Sequence, residues 1–335
     1  MKTTALTSFV TSWICVTASA AAASYVITEI QTHENYAAGL SGITERGAVV
    51  GTLSDDDDDS IAFLWKNGSL QEIGRLSRGQ GYFDILGINR REEIIGDFNG
   101  TNNRAFLWQT GTVQYLGSLG GSSAVAYGIN DHGDIVGAST LAGDNTWHPF
   151  LYRKATMVDL GVFGGRDAFA FAINNKRQVV IEHQNETGNR LAVYDDGDFR
   201  IIGKIGNWTT GQAINQAGHI VGECEGVVEP GKHAFYYDGQ RLIDLHVPGE
   251  TFSGSRSINN RDEIVGSWGI EGRIGSRGGG FLYRNGVRTE ISELLPTGSG
   301  WSVLSADYVN DAGQIAGVGV RDGVRRFYLL TPLKP

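Results

Sequence analysis

The chain has 335 residues, 48 of them Gly and only 6 Pro, and a formal net charge of −9 at pH 7. Hydrophobic residues make up 41% and aromatic residues 10%, enough for a real core, which excludes a disordered chain. The acidic balance excludes a basic nucleic-acid footprint, a charged fraction of 19% argues against long solvated helices, and two cysteines cannot build a disulfide scaffold.

In chain order, Lys2, the mostly apolar run over 5–16 and the small residues Ala18-Ser19-Ala20 read as a secretory signal peptide covering 1–23, too short for a membrane span. Cys15 leaves with it and Cys224 remains alone. The expected mature chain, 24–335, is a single secreted or periplasmic domain. Residues 25–30 then read as a lone strand.

From residue 40 onward one phrase recurs: Ile-Asn, a short turn often carrying Gly, then Ile-Val-Gly. Its Asn position falls at Thr44, Asn89, Asn130, Asn174, Asn215, Asn259 and Asn310, at intervals of 45, 41, 44, 41, 44 and 51 residues. An aromatic phrase follows each, as in Ala62-Phe63-Leu64-Trp65, Ala105-Phe106-Leu107-Trp108 and Ala234-Phe235-Tyr236-Tyr237. Each copy reads as four short strands: a ends at Ile-Asn, b begins at Ile-Val-Gly, c is the aromatic run and d returns after a hairpin such as Asn67-Gly68. Asn and Gly are expected in the a–b turn because both tolerate positive φ. Four strands every 41 to 51 residues predict an all-β fold, a seven-bladed β-propeller of four-stranded antiparallel blades. The last copy lacks a strand d, so strand 25–30 is expected to pair with the C-terminal blade and close the ring without an unpaired edge.

At these motifs the chain resembles the HAF-repeat family of predicted extracellular proteins, named for a His-Ala-Phe in strand c, which His233-Ala234-Phe235 matches in full. The resemblance covers roughly 25–330 and implies secretion and a repeat architecture; it supplies no catalytic residues. Copy four is the most divergent, with Arg177 at the turn Gly and Ile181 at the Gly of Ile-Val-Gly.

Repeats fix the core, so function is expected where copies differ, on the face formed by the d–a and b–c connections. The b–c connections, among them 182–190 and 318–325, read as long and varied loops. Candidate ligand-binding residues there are Trp147, His148, His183, Trp208, His233, Trp268, Arg273 and Trp301, because aromatic faces with His and Arg suit stacking on sugar rings and pairing with anionic groups. Trp65 and Trp108 are expected in the core. Asp55 to Asp59 reads as a solvated acidic loop rather than a calcium turn. No metal motif, nucleophile elbow or phosphate loop is present, so no metal and no cofactor are expected.

The expected function is recognition of an extracellular ligand, a glycan or a cell-surface partner, by a monomer with no membrane span and no nucleic-acid partner. An enzyme is the alternative, a polysaccharide lyase acting on an acidic glycan with His183, His33 or His246, Tyr36 or Tyr82, and an Arg. A purely structural scaffold is the third possibility.

Overall fold

The computed structural model describes residues 24–32, 37–54, 60–76, 82–100, 102–143, 146–227, 229–270 and 277–333. The expected signal peptide, Asp55 to Asp59, His33, Tyr36 and Arg273 lie outside them.

After strand β1 (Tyr25–Ile30), strands β2 (Ala37–Ile43), β3 (Val49–Ser54), β4 (Ser60–Lys66) and β5 (Ser69–Leu76) form an antiparallel sheet in sequence order. The same order recurs in β6 (Tyr82–Ile88), β7 (Ile94–Asn99), β8 (Asn103–Gln109) and β9 (Thr112–Tyr115). It recurs again in β10 (Gly120–Ile129), β11 (Ile135–Leu141), β12 (Trp147–Arg153) and β13 (Thr156–Asp159), and in β14 (Asp167–Ile173), β15 (Val179–Asn185), β16 (Gly188–Asp195) and β17 (Asp198–Gly203). Two further groups follow. One comprises β18 (Thr209–Ile214), β19 (Ile220–Glu225), β20 (Lys232–Tyr237) and β21 (Leu242–Asp244). The other comprises β22 (Phe252–Ile258), β23 (Ile264–Ile270), β24 (Arg277–Arg284) and β25 (Val287–Glu290). A single parallel pair, Lys232 with Phe252, joins these two into an eight-stranded path. A short 3-10 turn, Ile291–Leu294, precedes β26 (Trp301–Val309), β27 (Ile315–Arg321) and β28 (Val324–Pro332), and the sheet order there is β1-β28-β27-β26. The N-terminal strand thus runs antiparallel to the C-terminal one, Tyr25 opposite Pro332 and Ile30 opposite Phe327.

The core lies between successive sheets. One apolar cluster joins Ile95 and Ala105 to Ala126, Ile135 and Phe150, and another joins Ile30 and Phe327 to Val49, Phe63 and Trp65. Trp65 and Trp108 are buried, as expected. The Gly of Ile-Val-Gly has a packing reason. A Cβ on Gly137 would lie 1.9 Å from the Val125 carbonyl oxygen and 2.9 Å from the Phe150 ring, so the glycine seats the strand-c aromatic against the inner strand. In copy four Ile181 stands opposite Ala192 instead of Gly opposite Phe, and both are fully buried: the volume has moved from strand c to strand b.

The a–b turns hold a second device, and here the expected role of Asn is corrected. The positive φ falls three residues later, on Gly47, Glu92, Gly133, Arg177, Gly218, Asp262 and Gly313, and not on the Asn. The Asn side chain instead bridges. Asn130 Oδ1 accepts from the backbone N–H of His132 and Asp134, both at 3.0 Å, while its Nδ2 donates to the Asn174 carbonyl at 3.2 Å. Asn89, Asn174, Asn215, Asn259 and Asn310 donate in the same way to the carbonyls of Asn130, Asn215, Asn259, Asn310 and Thr44. Each amide therefore ties one repeat to the next.

The b–c connections also differ from expectation. Strands β15 and β16 continue as a ladder to the pair Asn185 and Gly188, and β27 and β28 to Arg321 and Val324, so 182–190 and 318–325 are hairpins rather than long loops.

Candidate functional site

The first strands of the repeats, β2, β6, β10, β14, β18, β22 and β26, all contribute to the wall of one central cavity of about 450 Å³. Each carries a β-bulge at the same place, three residues before the turn Asn or Thr. In β6, Ile85 pairs with Gly96 and Gly87 with Ile95, leaving Leu86 outside the ladder. The residues skipped in this way are Ser41, Leu86, Tyr127, Phe171, Gln212, Arg256 and Asp307. A bulge re-aims a side chain and is common beside functional sites. Here all of the skipped residues except Asp307 line the cavity, and Asp307 is followed by the lining residue Tyr308. They are seven different residue types at one repeat position, whereas the position just before the turn residue is Ile in every copy but the last, where it is Val309.

The cavity continues into a neighbouring space of about 460 Å³ lined by Thr52, Asp84, Leu86, Arg256 and Tyr308. Asp84 on β6 stands directly opposite Asp97 on β7. Asp97 is 3% exposed, and burial together with the Asp84 charge pushes its carboxyl up to about 7; burial raises Asp84 as well. Burial and the nearby Asp97, Asp84 and Glu182 charges push the Tyr127 hydroxyl up to about 12. Burial also raises Asp307, against the lowering influence of Arg256. Glu182 is buried and accepts from the Thr210 hydroxyl, Gln184 and Asn189. Arg256 is the one cationic side chain among the described residues lining these two spaces.

Aromatic rings form a row that ends on the lining residues Phe171 and Tyr127. Trp147 is 6.0 Å from Phe169, Phe169 6.2 Å from Phe171, and Phe171 4.9 Å from Tyr127. Alternation along β14 puts Phe169 and Phe171 on one face and the buried Ala168 and Ala170 on the other. At the turn end the cavity narrows to about 170 Å³, and Arg90 lies 3.6, 3.4 and 3.1 Å from Glu45, Asp131 and Asp311. The opposite end is the wide one.

None of the sequence-predicted binding residues that the structure describes lines this cavity, though Trp147 begins the aromatic row that leads into it; Arg273 lies outside the described residues. His148 Nδ1 lies 3.0 Å from the Asp159 carboxylate. His183, expected on a loop, is instead buried within β15, 5.7 Å from the Phe199 ring, and burial lowers its pKa. Trp208 is half-buried just before β18, and Trp301 packs on Tyr328 with Arg321 over its ring. His233 and Trp268 belong to one network. His233 stacks on His246 at 3.6 Å; Glu250 lies 3.7 Å from His246 and 2.6 Å from Arg288; Glu290, 3.8 Å from Arg288, accepts from Trp268 Nε1. The seven bulge residues escaped notice in the sequence because they sit inside strands. Aligning the copies and asking which strand position never repeats is the signal that finds them.

These features sit on a scaffold shared with solved proteins. The oligogalacturonate lyase of Vibrio parahaemolyticus superposes with a TM-score of 0.53 over 91% of this chain and 93% of its own, at 11% identity. U3-55K does so with a TM-score of 0.52 over 92% and 98%, at 12% identity. The fold is that of a β-propeller. The TolB of Acinetobacter baumannii gives a TM-score of 0.46 at 12% identity over 84% of this chain, which spans 60% of TolB. No protein-family model and no curated protein matches the chain. Among the described residues no helix is long and apolar enough to cross a membrane.

Proposed function

We propose that the chain is an exported, seven-bladed, circularly closed propeller that binds an extracellular ligand, a glycan or a group on a cell-surface partner, through the wide end of its central cavity. The observation that carries this is the bulge set: one repeat position differs in every copy and lines a shared cavity in six of the seven, while the positions around it repeat for packing. The pairing of β1 with β28 and the Asn310 bridge to Thr44 support closure. The resemblance to the HAF-repeat family and the leader-like first residues support export. The aromatic row from Trp147 to Tyr127 supplies flat faces for sugar rings, and His148, Trp208, Trp268 and Trp301 would extend the contact outward. A lyase acting on an acidic glycan fits less well. A uronate carboxylate calls for cations, and among the described residues lining the wide part of the cavity Arg256 is the one cation, with Asp84 in the same lining.

Retention on a panel of immobilised extracellular polysaccharides tests this, with melting temperatures measured alongside. Tyr127→Ala/Phe171→Ala is expected to abolish retention that the wild type shows. Retention that survives this change and is lost only in Trp268→Ala/Trp301→Ala would move the site from the cavity to the rim. No retention on any member would remove the glycan.

A further inference from the structure

Resting on the reading of the chain as a closed ring with a glycan site in its central cavity, we propose that the site is a blind socket. It takes a terminal sugar, the end of a chain or the tip of a branch, and excludes chain interiors. The axis of the molecule passes through three layers. The first is the wide space whose wall carries Tyr127, Phe171, Gln212 and Arg256. The second is a girdle made by the residue before each turn position, Ile in six repeats and Val309 in the seventh. Six of these seven β-branched side chains line both the wide space of about 450 Å³ and the narrow one of about 170 Å³, so the girdle stands between the two. The third is a polar belt made by the residue after each turn position.

That belt links repeat to repeat. Asp131 accepts from the backbone N–H of Arg90 at 3.0 Å, Asn175 from Asp131 at 2.9 Å and Gln216 from Asn175 at 3.2 Å. Asn260 accepts from Gln216 at 2.8 Å, Asp311 from Asn260 at 2.8 Å and Glu45 from Asp311 at 3.0 Å. An arginine side chain has no acceptor, so Arg90 cannot supply the remaining link. Its guanidinium reaches instead to Glu45, Asp131 and Asp311, from three other repeats, and closes the narrow end. Each layer acts differently on a polysaccharide. Sugar rings stack on the aromatic faces of the first. The girdle would strip sugar hydroxyls of water and offers them no hydrogen-bond partner. Beyond it, a threading chain would have to part the Arg90 ion pairs. A chain interior continues in both directions and needs two openings, whereas a terminus needs only the wide end.

Calorimetric titration with pullulan, alginate and hyaluronan, all linear, tests this when each is supplied intact and as short hydrolysed fragments. Fragmentation multiplies chain ends and leaves the mass of interior sugars nearly unchanged. For a polymer that binds, the half-saturating mass is expected to fall by the same factor as the chain length, about tenfold for fragments a tenth as long. An intact chain is expected to take up no more than one protein per end. Tyr127→Ala/Phe171→Ala, with folding checked by thermal melting, is expected to bind neither form. An unchanged half-saturating mass, with many proteins on each intact chain, overturns the socket and leaves the glycan reading standing. Fragment binding that survives in the folded variant overturns it too, because chain ends then bind elsewhere. Should the variant not fold, the stoichiometry of the wild type decides alone. Binding of no polymer in either form overturns both conclusions.

Discussion

Asp97 concentrates the electrostatics of the molecule in one side chain. Its carboxyl pKa is pushed from 3.8 up to about 7 in the folded chain, so folding takes up a proton between those values. For an acid with a raised pKa the sign is fixed: stability is highest below about pH 4, falls as pH rises toward about 7, and stays at the lower level above it. Asp97→Asn removes the charge and keeps the shape. It is expected to raise stability at pH 8 by on the order of 2 kcal/mol, discounted for screening by water in the cavity, and to leave it nearly unchanged at pH 4. Thermal melts at the two pH values check this; a variant equally or less stable at pH 8 contradicts the assignment. The sequence made Asp97 visible only as one acidic residue two positions after an Ile. Its significance depends on its burial and on Asp84 across the ladder, and neither is a local property. Asn130 teaches a similar lesson: its recurrence was legible, but the reason was not. Its donation to Asn174 spans 44 residues, so a turn-propensity argument accounts for its location and misses its bond.

At the level of strands, most of the architecture was readable. Period-two alternation, hairpin signals and a constant spacing placed the a, b, c and d strands, and the pairing of 25–30 with the last strand followed from counting. What could not be read was the bulge, since a skipped residue leaves no mark on composition. The long-loop expectation for 182–190 failed for a related reason. Polar residues such as Glu182, Gln184 and Asn189 resemble loop sequence, but Glu182 accepts from Gln184 along β15 and from Asn189 across the ladder. The same sheet offers a clean energetic test in the exchange of Gly and Phe for Ile181 and Ala192. Ile181→Gly should open a cavity and cost about 4 kcal/mol, and Ala192→Phe should overpack at about 2 kcal/mol. The double variant restores the pairing used by the other repeats and should cost well under the sum, giving a coupling of about 2 kcal/mol or more in a denaturant-melt cycle. Additive costs would mean that the two volumes are not exchanged.

Across the whole molecule, repetition and variation divide the labour. Buried Ile, Gly and Phe positions recur because they hold neighbouring sheets together; the Asn bridges link successive turns; Arg90 among Glu45, Asp131 and Asp311 occupies the narrow end. The wide end, where the aromatic row reaches Phe171 and Tyr127, is where the proposed ligand would meet residues that no other copy supplies. Loop tryptophans were the natural first candidates, since variable connections usually carry binding residues. They are largely occupied in packing, Trp268 on Glu290 and Trp301 on Tyr328. Hydrogen–deuterium exchange, run with and without a polysaccharide that the protein retains, tests the central claim most directly. The amides around Tyr127, Phe171, Gln212 and Arg256 on the inner strands should gain protection when the ligand is present. Protection confined to the b–c hairpins and outer strands, with the inner strands unchanged, would contradict it.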